Sequence, residues 1–280
     1  MHIMKKISYY IAGALALLSL AACDMFELDN YDGPDAQVTG RLLDAKTGEL
    51  IGIEAATTTS FDWSSWTNVT KVETGALVVV EQGWAGEEDQ DWLVRFDGQF
   101  TDNLIFSGDY VFSTKKLPCY DPENRAFTIK KGKNKMDVSL VPFCRIVNPQ
   151  IRYDAAAGKV IATFSVELGD PSKANTITNV AFCGNTQVFV GCNYQNLAKN
   201  DGGAKQQNVK PGETITLEID TRAAANADLF KYTQERYFRI AAMAGGNGFN
   251  GNNIYNFSPI YKFSEDYSSL EEVKWDENNW

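Results

Sequence analysis

From residue 37 to about residue 265, apolar and polar side chains alternate with a period of two, and turn residues interrupt the alternation repeatedly. A period of two puts successive side chains on opposite faces of an extended chain, so it predicts strands. Val38 opens a strand that ends at Asp44, and Lys46-Thr47-Gly48 turns the chain. Trp92, Val94 and Phe96 share one strand face, and Asp97-Gly98 supplies the hairpin turn that follows. Ser107-Gly108-Asp109 separates the next two strands, and Met136, Val138 and Leu140 then alternate with Asp137 and Ser139. Val141-Pro142-Phe143 reads as a domain edge, because proline has no N–H to donate to a central ladder.

The second half repeats the style but not the sequence. After the turn at Ala155–Gly158, Val160, Ala162, Phe164, Val166 and Leu168 line one face of a long strand. Ile215, Leu217 and Ile219 follow the Lys210-Pro211-Gly212 turn, and Tyr237 to Met243 and Tyr255 to Phe263 supply two more strands. Only Ala223 to Lys231 has a helical pattern. Short strands joined by turns predict an all-β chain, and its length favours two antiparallel β-sandwich domains in tandem, each of roughly 110 residues. The expected limits are 37–143 and 144–265, after a tether at 23–36 that Gly33-Pro34 closes. Residues 266–280, with Trp275 and Trp280, read as a C-terminal tail or an edge strand.

The start of the chain breaks the pattern. Lys5 and Lys6 are its only early charges, and Ile7 to Ala22 is a mostly apolar run of 16 residues. A bilayer-spanning helix needs about 20, whereas a secretory signal needs less. Leu20-Ala21-Ala22-Cys23 resembles the bacterial lipobox: small residues fit a narrow peptidase groove, and the thiol takes the lipid. The expectation is a signal peptide over 1–22 and a lipid on Cys23 as the chain's sole contact with the membrane. An ordinary signal peptide that is cut before a cysteine is the alternative.

Removing residues 1–22 leaves 258 of 280 residues and takes away Lys5, Lys6 and His2, the single histidine. What remains has 24 basic and 36 acidic side chains, a net charge of −12. Such a chain repels nucleic acid and anionic headgroups. Without histidine there is no Ser-His-Asp or Cys-His arrangement and no histidine metal ligand. Carboxylate-only hydrolysis stays open in principle. Glu87-Glu88-Asp89-Gln90-Asp91 lacks the ordered alternation of a calcium loop and reads as a solvated turn, so neither metal nor cofactor is expected. Cys119, Cys144, Cys183 and Cys192 allow three disulfide pairings, of which 119–144 with 183–192 is the most local; buried free thiols or one bridge fit equally.

A glycan binder needs flat rings on loops beside amides and carboxylates, since rings pack on the apolar faces of sugars while polar groups bond the hydroxyls. Two segments have that composition. The first is Phe61 to Asn68, with Trp63 and Trp66, joined by Trp84. The second is Gly245 to Asn256, with Asn247, Phe249, Asn250, Asn252 and Tyr255. The same tryptophans serve equally as core packing, and the second segment equally as a plain hairpin loop.

Gln37-Val38-Thr39-Gly40-Arg41-Leu42-Leu43-Asp44, followed by Thr47-Gly48-Glu49-Leu50-Ile51, resembles the opening of carboxypeptidase-regulatory or transthyretin-like sandwiches. Phe106-Ser107-Gly108-Asp109-Tyr110 is similar to the F-x-G-x-Y strand of that group. With Asp29-Asn30-Tyr31-Asp32-Gly33-Pro34-Asp35, Phe96-Asp97-Gly98-Gln99-Phe100 and Val141-Pro142-Phe143 in this order, nearly the full chain resembles one family. This is the Bacteroidetes two-domain lipoprotein family catalogued as domain of unknown function 3823. The resemblance implies a fibronectin/immunoglobulin-like second domain and a place among outer-membrane lipoproteins of polysaccharide-uptake systems. There a TonB-dependent transporter and its lid lipoprotein bind and import oligosaccharides. Asp24, Glu27 and Asp29, though interrupted by Met25-Phe26, resemble the signals that send such lipoproteins to the cell surface. The resemblance brings no catalytic residues. The expected function is a non-catalytic surface lipoprotein that binds or positions poly- or oligosaccharide; a structural, adhesin-like spacer or scaffold is the alternative.

Overall fold

The computed structural model describes residues 33–62, 67–83, 88–174, 176–193, 195–199, 203–245, 248–249 and 252–274. The strands up to Pro142 are β1 (Ala36–Asp44), β2 (Ala56–Asp62), β3 (Thr67–Thr74), β4 (Ala76–Glu81), β5 (Gln90–Leu93), β6 (Gln99–Ile105), β7 (Gly108–Ser113), β8 (Cys119–Tyr120), β9 (Ala126–Ile129) and β10 (Gly132–Pro142). They form one sheet in the order β6-β1-β10-β8 and another in the order β5-β4-β7-β9. Leu42, Phe100 and Leu140 of the first sheet pack with Leu77, Trp92 and Tyr110 of the second in one buried cluster. The alternation read from Met136 to Leu140 has this cause: Val138 and Leu140 point into the cluster while Asp137 and Ser139 stay exposed.

One pair departs from the antiparallel expectation. β1 runs antiparallel to β6 but parallel to β10, with Ala36 opposite Gly132 and Asp44 opposite Leu140. Side chains alternate alike in both kinds of ladder, so periodicity carries no strand direction. β2 and β3 pair only with each other and form a two-stranded arm outside both sheets.

Beyond Phe143 come β11 (Cys144–Asp154), β12 (Lys159–Leu168), β13 (Ile177–Asn185), β14 (Lys205–Val209), β15 (Ile215–Asp220), a short helix α1 (Ala227–Phe230), β16 (Arg236–Ala244), β17 (Gly248–Phe249), β18 (Asn252–Asn253), β19 (Asn256–Phe257), β20 (Tyr261–Phe263) and β21 (Leu270–Glu272). β11-β12-β15 make one sheet, and β14-β13-β16-β20-β21 the other, with β19 also on β16. Val160, Phe164 and Val166 of β12 meet Phe182 and Phe238 of the facing sheet in a second cluster. The β13–β16 pair is covered on both faces. Val180, Phe182, Ile240 and Ala242 face that cluster, while Ala181, Cys183 and Ala241 face a third, beneath Val190, Cys192 and Ile260. An apolar run rather than a clean alternation in β16 is the sequence mark of that double cover.

Two further readings change. The strand expected over Tyr255 to Phe263 is two, β19 and β20, each paired with β16, with Ser258-Pro259-Ile260 between them. Of the expected tail, Leu270–Glu272 is an edge strand on β20. Among the described residues no helix is long and apolar enough to cross a membrane. All four described cysteines are buried free thiols, and burial pushes that of Cys144 up to about 12.

Candidate functional site

The sequence on either side of Phe143 is joined by buried polar side chains. Arg239 sits within the apolar run of β16, and its guanidinium donates to four carbonyls. Nε donates to Ser258 O at 2.9 Å, Nη1 to Ile53 O at 3.0 Å and Val190 O at 3.4 Å, and Nη2 to Phe96 O at 3.2 Å. Two of these acceptors lie before residue 143 and two after it. The guanidinium also stands 4.4 Å over the ring of Phe257. Burial pushes its pKa down to about 9 and the nearby Glu54 charge opposes that fall, so the cation persists at neutral pH.

Glu54 is buried as well, and both of its carboxylate oxygens accept the N–H of Asn193, at 3.0 and 3.1 Å. Two glycines make room for this pair of charges. A Cβ at Gly52 would lie 2.0 Å from Arg239 Nη2, and one at Gly191 would lie 1.9 Å from Glu54 Oε1. Asn256 completes the seam: its Nδ2 donates to Pro118 O at 2.9 Å, and its Oδ1 accepts the N–H of Cys144 at 3.0 Å.

A second ion pair crosses the seam at its edge, where Arg145 Nη2 donates to Asp44 Oδ1 at 2.7 Å and Nε to Oδ2. Burial works to raise the Asp44 pKa, but the bond from Arg145 and the N–H of Lys46 outweigh it and hold the carboxyl below 3.8. A carboxylate with a depressed folded-state pKa contributes stability above its unfolded value and loses it as pH falls through the folded one. The stability gap between the parent chain and Asp44→Asn, read from urea midpoints, is therefore expected to be constant near neutrality and to close below pH 3.8. A gap that is unchanged in acid would contradict the pairing.

Beside this seam lie two openings. A void of about 10 Å³ is bounded by Glu54, Thr74 and Gly75 at the base of the β2–β3 arm, and by Ile254, Tyr255 and Phe257. A larger cleft of about 230 Å³ is lined by Thr114, Lys115, Cys119, Tyr120 and Asp121 on one side, and by Phe143 and Ile254 on the other. Tyr120 and Phe143 meet edge to face at 4.8 Å, and Lys173 Nζ stands 4.8 Å from the centre of the Tyr120 ring. Asp121 shapes the rim, since its Oδ1 accepts the N–H of Thr114 at 2.6 Å and the Thr114 hydroxyl at 2.9 Å. The Tyr120 hydroxyl is buried without a hydrogen-bond partner among the described residues, and burial raises its pKa.

The openings border part of the second segment chosen from sequence, and the void touches the base of the arm at whose far end Phe61 pairs with Asn68. The arm that flanks residues 63–66 springs from the base at Glu54 and Thr74, where the Thr74 hydroxyl donates to Glu54 O at 3.1 Å. Ile254, within the asparagine-rich segment, borders both openings. Trp63, Trp66, Trp84, Asn247 and Asn250 lie outside the described residues, as do Cys23, Trp275 and Trp280. Phe249 and Asn252 stand opposite each other in the β17–β18 pair. Tyr255 requires a correction. It is 4 % exposed and its hydroxyl accepts from Asn179 Nδ2 at 2.8 Å, so it is a packed core ring and not a platform open to ligand.

Tyr120 and Phe143 were not singled out by sequence, because a lone aromatic in a strand is usually core. Arg239 had a signal, a charge inside the run Phe238-Arg239-Ile240-Ala241-Ala242. Asp89 and Asp91 of the acidic turn are engaged by Lys115 and Lys116, and among the described residues no group of three metal-ligating side chains occurs. Every described carboxylate with a clear pKa shift is shifted down, from Asp35 to Asp266. A general acid for glycoside hydrolysis needs the opposite.

No protein-family model matches the chain. No curated protein matches it either. Solved structures do. One is a protein of Bacteroides uniformis whose name proposes carbohydrate binding; it is 27% identical, with a TM-score of 0.64, over 86% of this chain and 100% of that one. A DUF3823 family protein from Parabacteroides merdae is 20% identical, with a TM-score of 0.61, over 82% of this chain and 99% of that one. A DUF3823 family protein from Bacteroides ovatus is 19% identical, with a TM-score of 0.57 and the same coverage. The chain thus has the fold of the DUF3823 family, the family its motifs resemble.

Proposed function

We propose that this chain is a non-catalytic, lipid-anchored surface protein that binds glycan at the face where the arm, the cleft and the asparagine-rich segment meet. The observation that carries the reading is the cleft. It sets the rings of Tyr120 and Phe143 beside Asp121 and Thr114, with the Lys173 ammonium over the Tyr120 ring, the mixture of apolar faces and polar groups that a sugar ring requires. The Bacteroides uniformis protein named for carbohydrate binding supports the ligand class. The lipobox at Cys23 supports the anchor, and the acidic residues behind it support surface exposure on an outer membrane. In this reading the protein holds glycan as an accessory of an uptake system, beside a transporter and its lid lipoprotein.

In sequence, Trp63 and Trp66 fall between β2 and β3, outside the described residues. The double variant Trp63→Ala, Trp66→Ala is expected to weaken retention in polysaccharide-containing native gels by about tenfold, the effect of losing central aromatic contacts. Retention equal to the parent's would remove the arm from the site. The bonded seam also favours a second reading, a stiff spacer for a protein partner. Capture of an outer-membrane partner that is indifferent to these substitutions, with no polysaccharide retained, would favour it.

A further inference from the structure

Four lysines, Lys130, Lys131, Lys133 and Lys135, lie within six residues around the β9–β10 turn of a chain whose net charge is −10. All four are exposed, and none forms an ion pair among the described residues. Strand register puts an apolar turn beside them. Ala36 stands opposite Gly132 on one side and Ile105 on the other, and Gly108 stands opposite Ile129. The β6–β7 turn is therefore next to the lysine turn, and it exposes 77% of Leu104 and 37% of Phe106. These are two of the few large apolar side chains exposed among the described residues.

Asp35 ties the two turns together: its carbonyl accepts the N–H of Gly132 at 2.9 Å, and its carboxylate accepts the N–H of Ser107 at 2.8 Å. It is also where the chain arrives from Cys23, twelve residues earlier. Among the described residues, the other carboxylates at this end are engaged locally, Asp102 by Leu104 N–H, Asp109 by the Thr128 hydroxyl and Glu81 by Tyr110. Lysines are drawn to anionic headgroups, and apolar tips bury at the acyl boundary.

We propose that this end of the molecule rests on an anionic lipid surface, with Leu104 and Phe106 inserted and the four lysines against headgroup phosphates. The tether at Asp35 enters at that same end, so a lipid on Cys23 and this patch act on one membrane. The acidic remainder of the chain is repelled and turns outward. Membrane contact then involves more than the lipid.

The test is flotation of the chain from Asp24 onward, which lacks both the apolar leader and the acylated cysteine, with phosphatidylcholine vesicles made with and without phosphatidylglycerol at low salt. Recovery is expected only with phosphatidylglycerol. It should fall about tenfold in Leu104→Ser, Phe106→Ser and at least as far in Lys130→Glu, Lys131→Glu, Lys133→Glu. Equal recovery from both vesicles, or variants that float like the parent, would overturn the proposal. So would binding to a soluble anionic polysaccharide that needs the lysines but not Leu104 and Phe106, which would assign the patch to glycan.

Discussion

Arg239→Leu is expected to lower the free energy of unfolding by about 3–5 kcal/mol, the usual consequence of removing one partner of a buried charge arrangement. Leucine fits the apolar surroundings, so volume is not the main effect. The loss comes from what stays behind. Ile53, Phe96, Val190 and Ser258 each lose a donor for a carbonyl oxygen, and buried Glu54 loses the favourable charge of Arg239. Two of those carbonyls belong to each side of the seam, so the variant should also loosen the coupling between the two cores. Calorimetry is expected to show one transition in the parent chain and a broadened or split one in the variant. Arg239→Lys keeps the charge but not the fork of donors, and should recover only part of the loss. A variant as stable as the parent would mean that the seam is not what joins the two cores.

Trp92→Ala is the second large effect, about 3–5 kcal/mol for a fully buried indole. Trp92 lies between Phe100 at 6.0 Å, Tyr110 at 6.1 Å and Phe127 at 5.8 Å, so its removal empties the centre of the first core. Its Nε1–H has no acceptor among the described residues. Trp92→Phe removes that orphan donor along with some volume and should cost much less than alanine. The pair of variants separates packing from polarity. If alanine and phenylalanine cost the same in urea denaturation, the packing account fails. With Arg239 in place, the Trp92→Ala loss should lower the melting of both cores together; with Arg239→Leu it should be confined to the first.

Much of this architecture is visible in the alternation of single residues. Val38 to Asp44 and Ile215 to Ile219 bury alternate side chains, Val160 to Leu168 does so from Ala162 to Val166, and each is a strand where the pattern puts one. Three things are not visible there, each for a physical reason. The parallel pairing of β1 with β10 leaves no trace, because the side-chain period is the same in both directions. The break at Pro259 is masked by apolar neighbours on both sides that pack against one strand, β16. The burial of Glu54 depends on Gly191 and Asn193, well over a hundred residues away. For the candidate site, composition pointed to the segment that holds Ile254 but not to the cleft that Ile254 borders. Tyr255 has the chemistry of a sugar platform, yet its packing against Asn179 and the third core makes it structural. Tyr120 and Phe143 look structural in sequence, and only the approach of Ile254 across the seam gives them a cleft.

The claim that the junction face binds glycan is tested most directly by affinity electrophoresis of the parent chain and Tyr120→Leu against a panel of plant and host polysaccharides, with melting temperatures recorded for both. Leucine keeps apolar bulk beside Phe143 and removes the ring from the cleft. The account predicts retardation of the parent by at least one polysaccharide and a dissociation constant about tenfold weaker in Tyr120→Leu at similar thermal stability. Retardation by none, or equal retardation of both proteins, would contradict it.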